Sequence, residues 1–319
     1  MKKAALTTAI LALLASGSAA AATVYKDDTS ELKIGGRAEA RFNISDDNKS
    51  DSTSAFEDKS RARLNIVGKS QINNDLYGFG KYEAQFDTDA DITNRYVFAG
   101  IGTNFGEFSY GKQDTAQVML TDVTDTMATF GADAADIVDG NKDKRTNNFL
   151  YAGEFGGFDI QANYLASDEK DNDSYGIAGL YAFDFGLELG LGYVAQKDGA
   201  NDDSQINIAV QYSIADFTLG GLYALGSVAD KDVNAFEVSA EYKLDKWTFV
   251  AVYNYNDVDD IQVFAATDVD QVDNFAVEAV YRFNSNLRTY AGYKLENAYS
   301  YDKKRDLDDQ VQAGIRYNF

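Results

Sequence analysis

From Lys33 onward the chain alternates polar and apolar residues with a period of two, breaks, and resumes, sixteen times in all. Neighbouring side chains of an extended strand point to opposite faces, so each run predicts a strand with one apolar and one wet face. In Gln310 to Phe319 the apolar face is Val311, Ala313, Ile315, Tyr317 and Phe319, and the wet face is Gln310, Gln312, Gly314, Arg316 and Asn318. The first strong run sets Lys33, Gly35, Arg37, Glu39, Arg41 and Asn43 against Ile34, Gly36, Ala38, Ala40, Phe42 and Ile44. So many half-apolar strands must cover their apolar faces with a second layer or turn them to lipid.

The runs span residues 33–44, 61–69, 77–86, 95–101, 107–112, 145–152, 158–165, 175–183, 187–194, 205–214, 217–226, 235–244, 247–256, 274–283, 287–295 and 310–319. Tight links such as Asn73-Asn74-Asp75, Asp184-Phe185, Ala215-Asp216, Asp245-Lys246 and Asn284-Ser285-Asn286 alternate with longer ones, including acidic 46–58 and 87–94, then 257–272 and 296–309. One edge of the sheet is therefore tight and the other elaborated, on strands of a length suited to a tilted membrane crossing. Tyr and Phe close many apolar stripes, among them Tyr164, Tyr212, Tyr242 and Phe283, as interfacial girdles would require. The expected fold is all-β: a 16-stranded antiparallel transmembrane β-barrel, its last strand pairing with its first.

The amino terminus fits export. Two lysines precede an apolar stretch, Ala4 to Ala15, that is too short for an anchor helix, and small residues follow. Residues 1–21 are expected to be a signal peptide and 22–319 the barrel domain. Composition then removes other functions. The chain has 29 basic and 51 acidic residues, a formal charge of −22, which disfavours a nucleic-acid partner. It has no Cys and no His, so thiolate chemistry, the commonest metal ligand and the usual general base are all missing. No enzyme, cofactor or metal site is expected.

One stretch breaks the pattern. Residues 113–143 carry no period-two run, and a connection that long inside a compact domain usually has a function.

Several segments carry a family resemblance. Ala22-Thr23-Val24-Tyr25-Lys26-Asp27-Asp28, Ser70-Gln71-Ile72-Asn73-Asn74-Asp75-Leu76-Tyr77-Gly78, Phe98-Ala99-Gly100 and the terminal Phe319 resemble the general porins of Gram-negative outer membranes, most of all the OmpU-like porins of marine gammaproteobacteria. The resemblance implies a homotrimer in the outer membrane, in contact with its lipid and lipopolysaccharide. It also implies passive passage of small hydrophilic solutes and ions through a water-filled pore, narrowed by an inward-folded constriction loop at about 113–143. Phe319 is similar to the family's terminal signal for the barrel-assembly machinery.

Within the loop, Thr124 to Asp133 is similar to the family's constriction motif. Asp125, Phe130, Gly131 and Asp133 match, whereas Ala128 stands for a Pro, Thr129 for a Glu and Ala132 for a Gly. The resemblance places Asp125 and the Thr129 position at the aperture, so the loop side is expected to be less negative and, lacking the Pro, less rigid. Arg37, Arg63, Arg95 and Arg145 match basic positions of the pore wall, with Arg41 and Arg61 on the same strand faces. The acidic loops are expected to concentrate cations at the mouth and give a mild cation preference. Two other readings are a substrate-specific channel and a surface adhesin or phage-binding barrel.

Overall fold

The alternating runs become strands because each inner face finds water or the loop, and each outer face finds an apolar surround. The computed structural model describes residues 21–88, 91–138, 140, 142–199, 201–258, 271–300 and 305–319. The expected signal peptide lies outside these residues except for Ala21, as does most of the 257–272 connection.

The strands are β1 (Ala22–Lys26), β2 (Ser30–Ile44), β3 (Phe56–Asp58), β4 (Arg61–Gln71), β5 (Leu76–Asp87), β6 (Ile92–Thr103), β7 (Gly106–Gln113), β8 (Arg145–Phe155), β9 (Phe158–Leu165) and β10 (Ser174–Ala182). They continue with β11 (Leu187–Asp198), β12 (Asn201–Ile214), β13 (Phe217–Val228), β14 (Lys231–Leu244), β15 (Trp247–Val258), β16 (Asp273–Arg282), β17 (Leu287–Glu296), β18 (Tyr299–Ser300), β19 (Arg305–Asp306) and β20 (Gln310–Asn318). One short helix, α1 (Val118–Thr121), lies in the loop between β7 and β8.

From β4 to β17 each strand pairs antiparallel with the next, β2 pairs with β4, and β20 pairs with both β17 and β2. The sheet therefore closes into a barrel of sixteen strands, and no long edge is left unpaired. The seam follows the expected pairing, with Arg37 opposite Asn318 and Ile44 opposite Val311. Short β1 and β3 add to the ends of β2, at Ala22↔Ile34 and Ile44↔Phe56. Neither stands out by alternation, being too short to show a period.

Burial is inverted relative to a water-soluble sandwich. On β20, Val311, Ile315 and Tyr317 are exposed outward while Gln312 and Arg316 are buried inside. Leu191 on β11 is 62% exposed and Asn207 on β12 is 0% exposed. An apolar outer surface around a polar lumen is stable only in lipid. Rings gather near the tight turns on that outer surface: Phe217 stacks on Tyr242 at 4.4 Å, Trp247 lies tilted against Tyr281 at 4.9 Å, and Tyr281 meets Phe283 edge-on at 5.0 Å. Such a belt suits the boundary between acyl chains and water. The turn before β11 needs a glycine, since Gly186 has φ +89° and a Cβ there would lie 2.3 Å from the Ser213 carbonyl oxygen.

Several strands outrun their expected limits. β12 begins at Asn201 and β14 at Lys231, in hairpin arms where polar residues occupy both faces, as at Lys197↔Asp202 and Ser227↔Asp232. Beyond the apolar band nothing forces alternation, so the sequence pattern fades before the hydrogen bonding does.

A pore narrowed by a docked loop

β7 ends in a bulge between Gly111 and Gln113. Gly111 has φ +137°, and a Cβ there would sit 2.2 Å from the Val97 carbonyl oxygen, so only glycine permits this exit. From it the chain turns into the lumen. The loop then makes the main apolar core of the described residues: Leu120, Val123, Ala134, Ile137 and Val138 pack on wall residues including Ala178, Val194, Leu222 and Val233. Wall glycines make the room. A Cβ on Gly190 or Gly192 would lie 2.4 or 2.7 Å from Leu120, and one on Gly220 would lie 2.4 Å from the Val123 carbonyl oxygen.

Polar side chains of the wall hold the loop backbone. Glu237 accepts hydrogen bonds from the Thr124 hydroxyl and, at 2.9 Å, from the Ala135 N–H. Glu278 accepts the N–H groups of Ala128 at 3.0 Å and Thr129 at 2.7 Å. Gln205 accepts the Val138 N–H and donates to the Ala135 carbonyl at 2.7 Å, and Gln117 of the loop donates to the carbonyls of Ile177 and Tyr193. Bonds to an ionised acceptor are among the stronger ones in a protein. The loop is therefore anchored to the wall without the proline.

Asp125 to Ala128 of the loop face a space of about 330 Å³ whose other side is lined by Arg37, Arg61, Arg63, Arg282, Arg288 and Arg316, with Glu241 and Glu278. This is the aperture. Partial desolvation by the surrounding loop and wall, with the nearby Asp133 carboxylate, pushes the Asp125 carboxyl up to about 6, although its side chain opens to the lumen, and the same desolvation with Asp114 pushes the likewise open Asp122 up to about 7.

Of the residues singled out in the sequence, Asp125, Arg37 and Arg63 meet here. Thr129 does not. It is buried, with its Oγ1 toward the β17 wall, 2.6 Å from where a Gly292 Cβ would stand, while its carbonyl accepts a bond from Arg41. Phe130 packs on the same wall, 5.9 Å below the Lys294 ammonium. Gly131 and Asp133 follow at the loop's next bend, where a Cβ on Gly131 would meet the Asp133 carboxylate.

Arg95 donates to Glu83 at 2.7 Å and Arg63 to Gln85 at 2.8 Å. Arg145 opens β8 opposite Gln113. Its neighbour Lys144 is the cation next to this group: burial and the charge of Arg95 push it down to about 8, with Asp114 opposing and Arg63 adding to the shift.

Alternation alone does not rank the arginines, so the role of Arg282, Arg288 and Arg316 was not legible. Their strands β16, β17 and β20 are successive antiparallel neighbours, and closure then sets Arg316 opposite Glu39 of β2. Glu39 is the polar centre of this wall. It accepts Arg61 Nε at 2.8 Å, Arg316 Nε at 2.6 Å and the Tyr290 hydroxyl at 2.6 Å, with Arg37 Nη2 at 3.4 Å. Arg41 serves the loop, donating to the carbonyls of Ala128 and Thr129.

A closed barrel with a lipid-compatible exterior and a loop-narrowed polar lumen defines a porin. The Gram-negative porin family model matches residues 6–318, and the chain belongs to that family. It is 37% identical to porin-like protein L of Photobacterium profundum and 33% identical to outer membrane protein U of Vibrio parahaemolyticus, each match covering all of both chains. Among solved structures, OmpF of Salmonella typhi in complex with daunomycin superposes with a TM-score of 0.80 at 19% identity, covering 93% of this chain and 100% of that one. A trimer form of OmpT from Vibrio cholerae superposes with a TM-score of 0.70 at 20% identity, covering 92% of this chain and 100% of that one. The protein is thus a channel of the outer membrane.

Proposed function

We propose that the protein is a general diffusion porin, admitting small hydrophilic solutes and ions to a water-filled pore that selects mainly by size and charge. The observation that carries this reading is the aperture between Asp125–Ala128 and the arginine wall: polar on both sides and set in an otherwise continuous barrel. A substrate-specific channel would need a graded track of ligand groups along the pore.

Ion preference is set by two opposed fields. The chain carries −22 overall, with exposed acids in connections such as 168–173, which concentrates cations at the mouth. Six arginines and three carboxylates line the aperture and work the other way. The cation preference is therefore mild and weakens with salt, because screening shortens from about 10 Å at 0.1 M to about 3 Å at 1 M and removes the distant mouth charges first.

The assembly proposed is a homotrimer, as in the trimer form of the Vibrio cholerae porin. Small outward residues favour close contact between barrels; Ala38, Ala40 and Ala62 line an outer groove with Ile315 and Tyr317. Residues 1–21 are proposed as the removed signal peptide and Phe319 as the terminus read by the assembly machinery. Phe319 also closes the seam, exchanging backbone hydrogen bonds with Gly36 at 2.8 and 3.0 Å. Its deletion should lower the yield of heat-resistant oligomers more than it changes conductance; normal oligomers would remove that role.

Reconstitution in a planar bilayer tests the function. Large ohmic steps, with a reversal potential that indicates mild cation preference in dilute salt, are expected across a salt gradient. Absence of conductance would refute the reading.

A further inference from the structure

The arginines of the aperture are not scattered. In the strand register Arg282 stands opposite Arg288, Arg288 opposite Arg316, Arg316 opposite Glu39, and Glu39 opposite Arg61. They form one rung across β16, β17, β20, β2 and β4 that begins beside the tight turn 284–286 and ends at Arg61, the first residue of β4, and it faces loop residues Asp125 to Ala128. Like charges directly opposite on neighbouring strands destabilise a sheet. A run of three arginines is therefore a cost to the fold that calls for a compensating anion.

The protein supplies only part of it. Glu39 is already committed to Arg61, Arg316 and Tyr290, with Arg37 beside it. Glu278 is occupied by the loop N–H groups of Ala128 and Thr129, and Asp125 and Glu241 complete the acidic lining. Arg282 and Arg288 form no ion pair among the described residues, and the Nε atoms of Arg288 and Arg37 are buried without any hydrogen-bond partner.

Planar guanidinium forks bind oxyanions through paired N–H donors, and several forks converging on one space favour an anion with more than one charged face. We propose that this rung is a binding station for a compact multivalent oxyanion, such as a pyrophosphate or a tricarboxylate, held within the 330 Å³ space between the arginines and the loop. The inference rests on the porin reading and adds a solute class to it. A monovalent anion satisfies one fork and passes, while a multivalent one bridges two or more and lingers, interrupting the current.

The test is single-channel recording of the full-length trimer in potassium chloride, with sodium pyrophosphate, sodium citrate or sodium acetate added at matched ionic strength. Pyrophosphate or citrate in the millimolar range should lower mean conductance or add open-channel noise in a saturable way, and acetate should not. In Arg282→Gln/Arg288→Gln the half-blocking concentration should rise about tenfold, equivalent to about 1.4 kcal/mol. Wild-type currents unaltered by both multivalent anions, an equal response to acetate, or the same half-blocking concentration in the double variant would each overturn the station. The wild-type titration is decisive even if the double variant assembles poorly. Loss of all conductance in plain potassium chloride would instead refute the porin reading.

Discussion

Two halves of the same lumen obey opposite rules. Along β10 to β15 the inner face offers glycine, alanine, valine, Gln205 and Glu237, and the loop lies on it as a core element. Along β16, β17, β20, β2 and β4 the loop is held at Glu278, Gly292 and Arg41, while the rung Arg282, Arg288, Arg316 and Arg61 on the same strands faces open space. Both halves have the same period-two pattern. The difference shows that alternation decides which face is inside, while side-chain size and charge decide whether that inside is filled or wet.

The sharpest way to break the contrast is to strip the carboxylates that tie the loop down. Glu237→Ala with Glu278→Ala removes the acceptors of Thr124, Ala128, Thr129 and Ala135, each bond contributing about 0.5–1.5 kcal/mol. Single-channel recordings should then show frequent flicker between levels, where the parent is steady. Leu120→Ala attacks the same contact from the apolar side. Leu120 is fully buried, and emptying such a site costs about 2–5 kcal/mol, here charged against loop docking. Faster proteolytic nicking within 113–143, with the barrel intact, is the expected readout.

A smaller effect separates the two sides of the loop itself. Met127→Glu puts a carboxylate into the aperture and should move the reversal potential toward cations. Thr129→Glu faces Gly292 in the wall, so it should disturb docking and leave the reversal potential nearly unchanged. The smallest expected change is with pH. Asp125, pushed up to about 6, is charged at pH 7 and neutral at pH 5, so acidification removes one negative charge from the aperture. Cation preference should fall across that interval in the parent and stay flatter in Asp125→Asn.

Most of the barrel was legible because each of its sixteen long strands shows two faces over the apolar band. All sixteen runs are strands, and the seam between β2 and β20 follows from closure. The loop was visible only as a gap in the pattern, and its hold on the wall was not. Glu237, Gln205 and Gly192 look like ordinary inner-face residues until the loop is laid over them. Thr129 illustrates the limit: motif position put it at the aperture, but its backbone bonds to Glu278 and Arg41 turn its side chain to the wall. Arg288 and Arg316 likewise gain their meaning only from cross-strand register.

One side of the loop, at Met127, meets water, and the other, at Leu120, meets the wall. The chain contains no cysteine, so single thiols can be placed at Met127 and at Leu120 and challenged with a membrane-impermeant, cationic methanethiosulfonate. Modification of Met127→Cys should cut single-channel conductance within the recording, while Leu120→Cys should stay unmodified. Rapid block at Leu120→Cys, or none at Met127→Cys, would contradict the account.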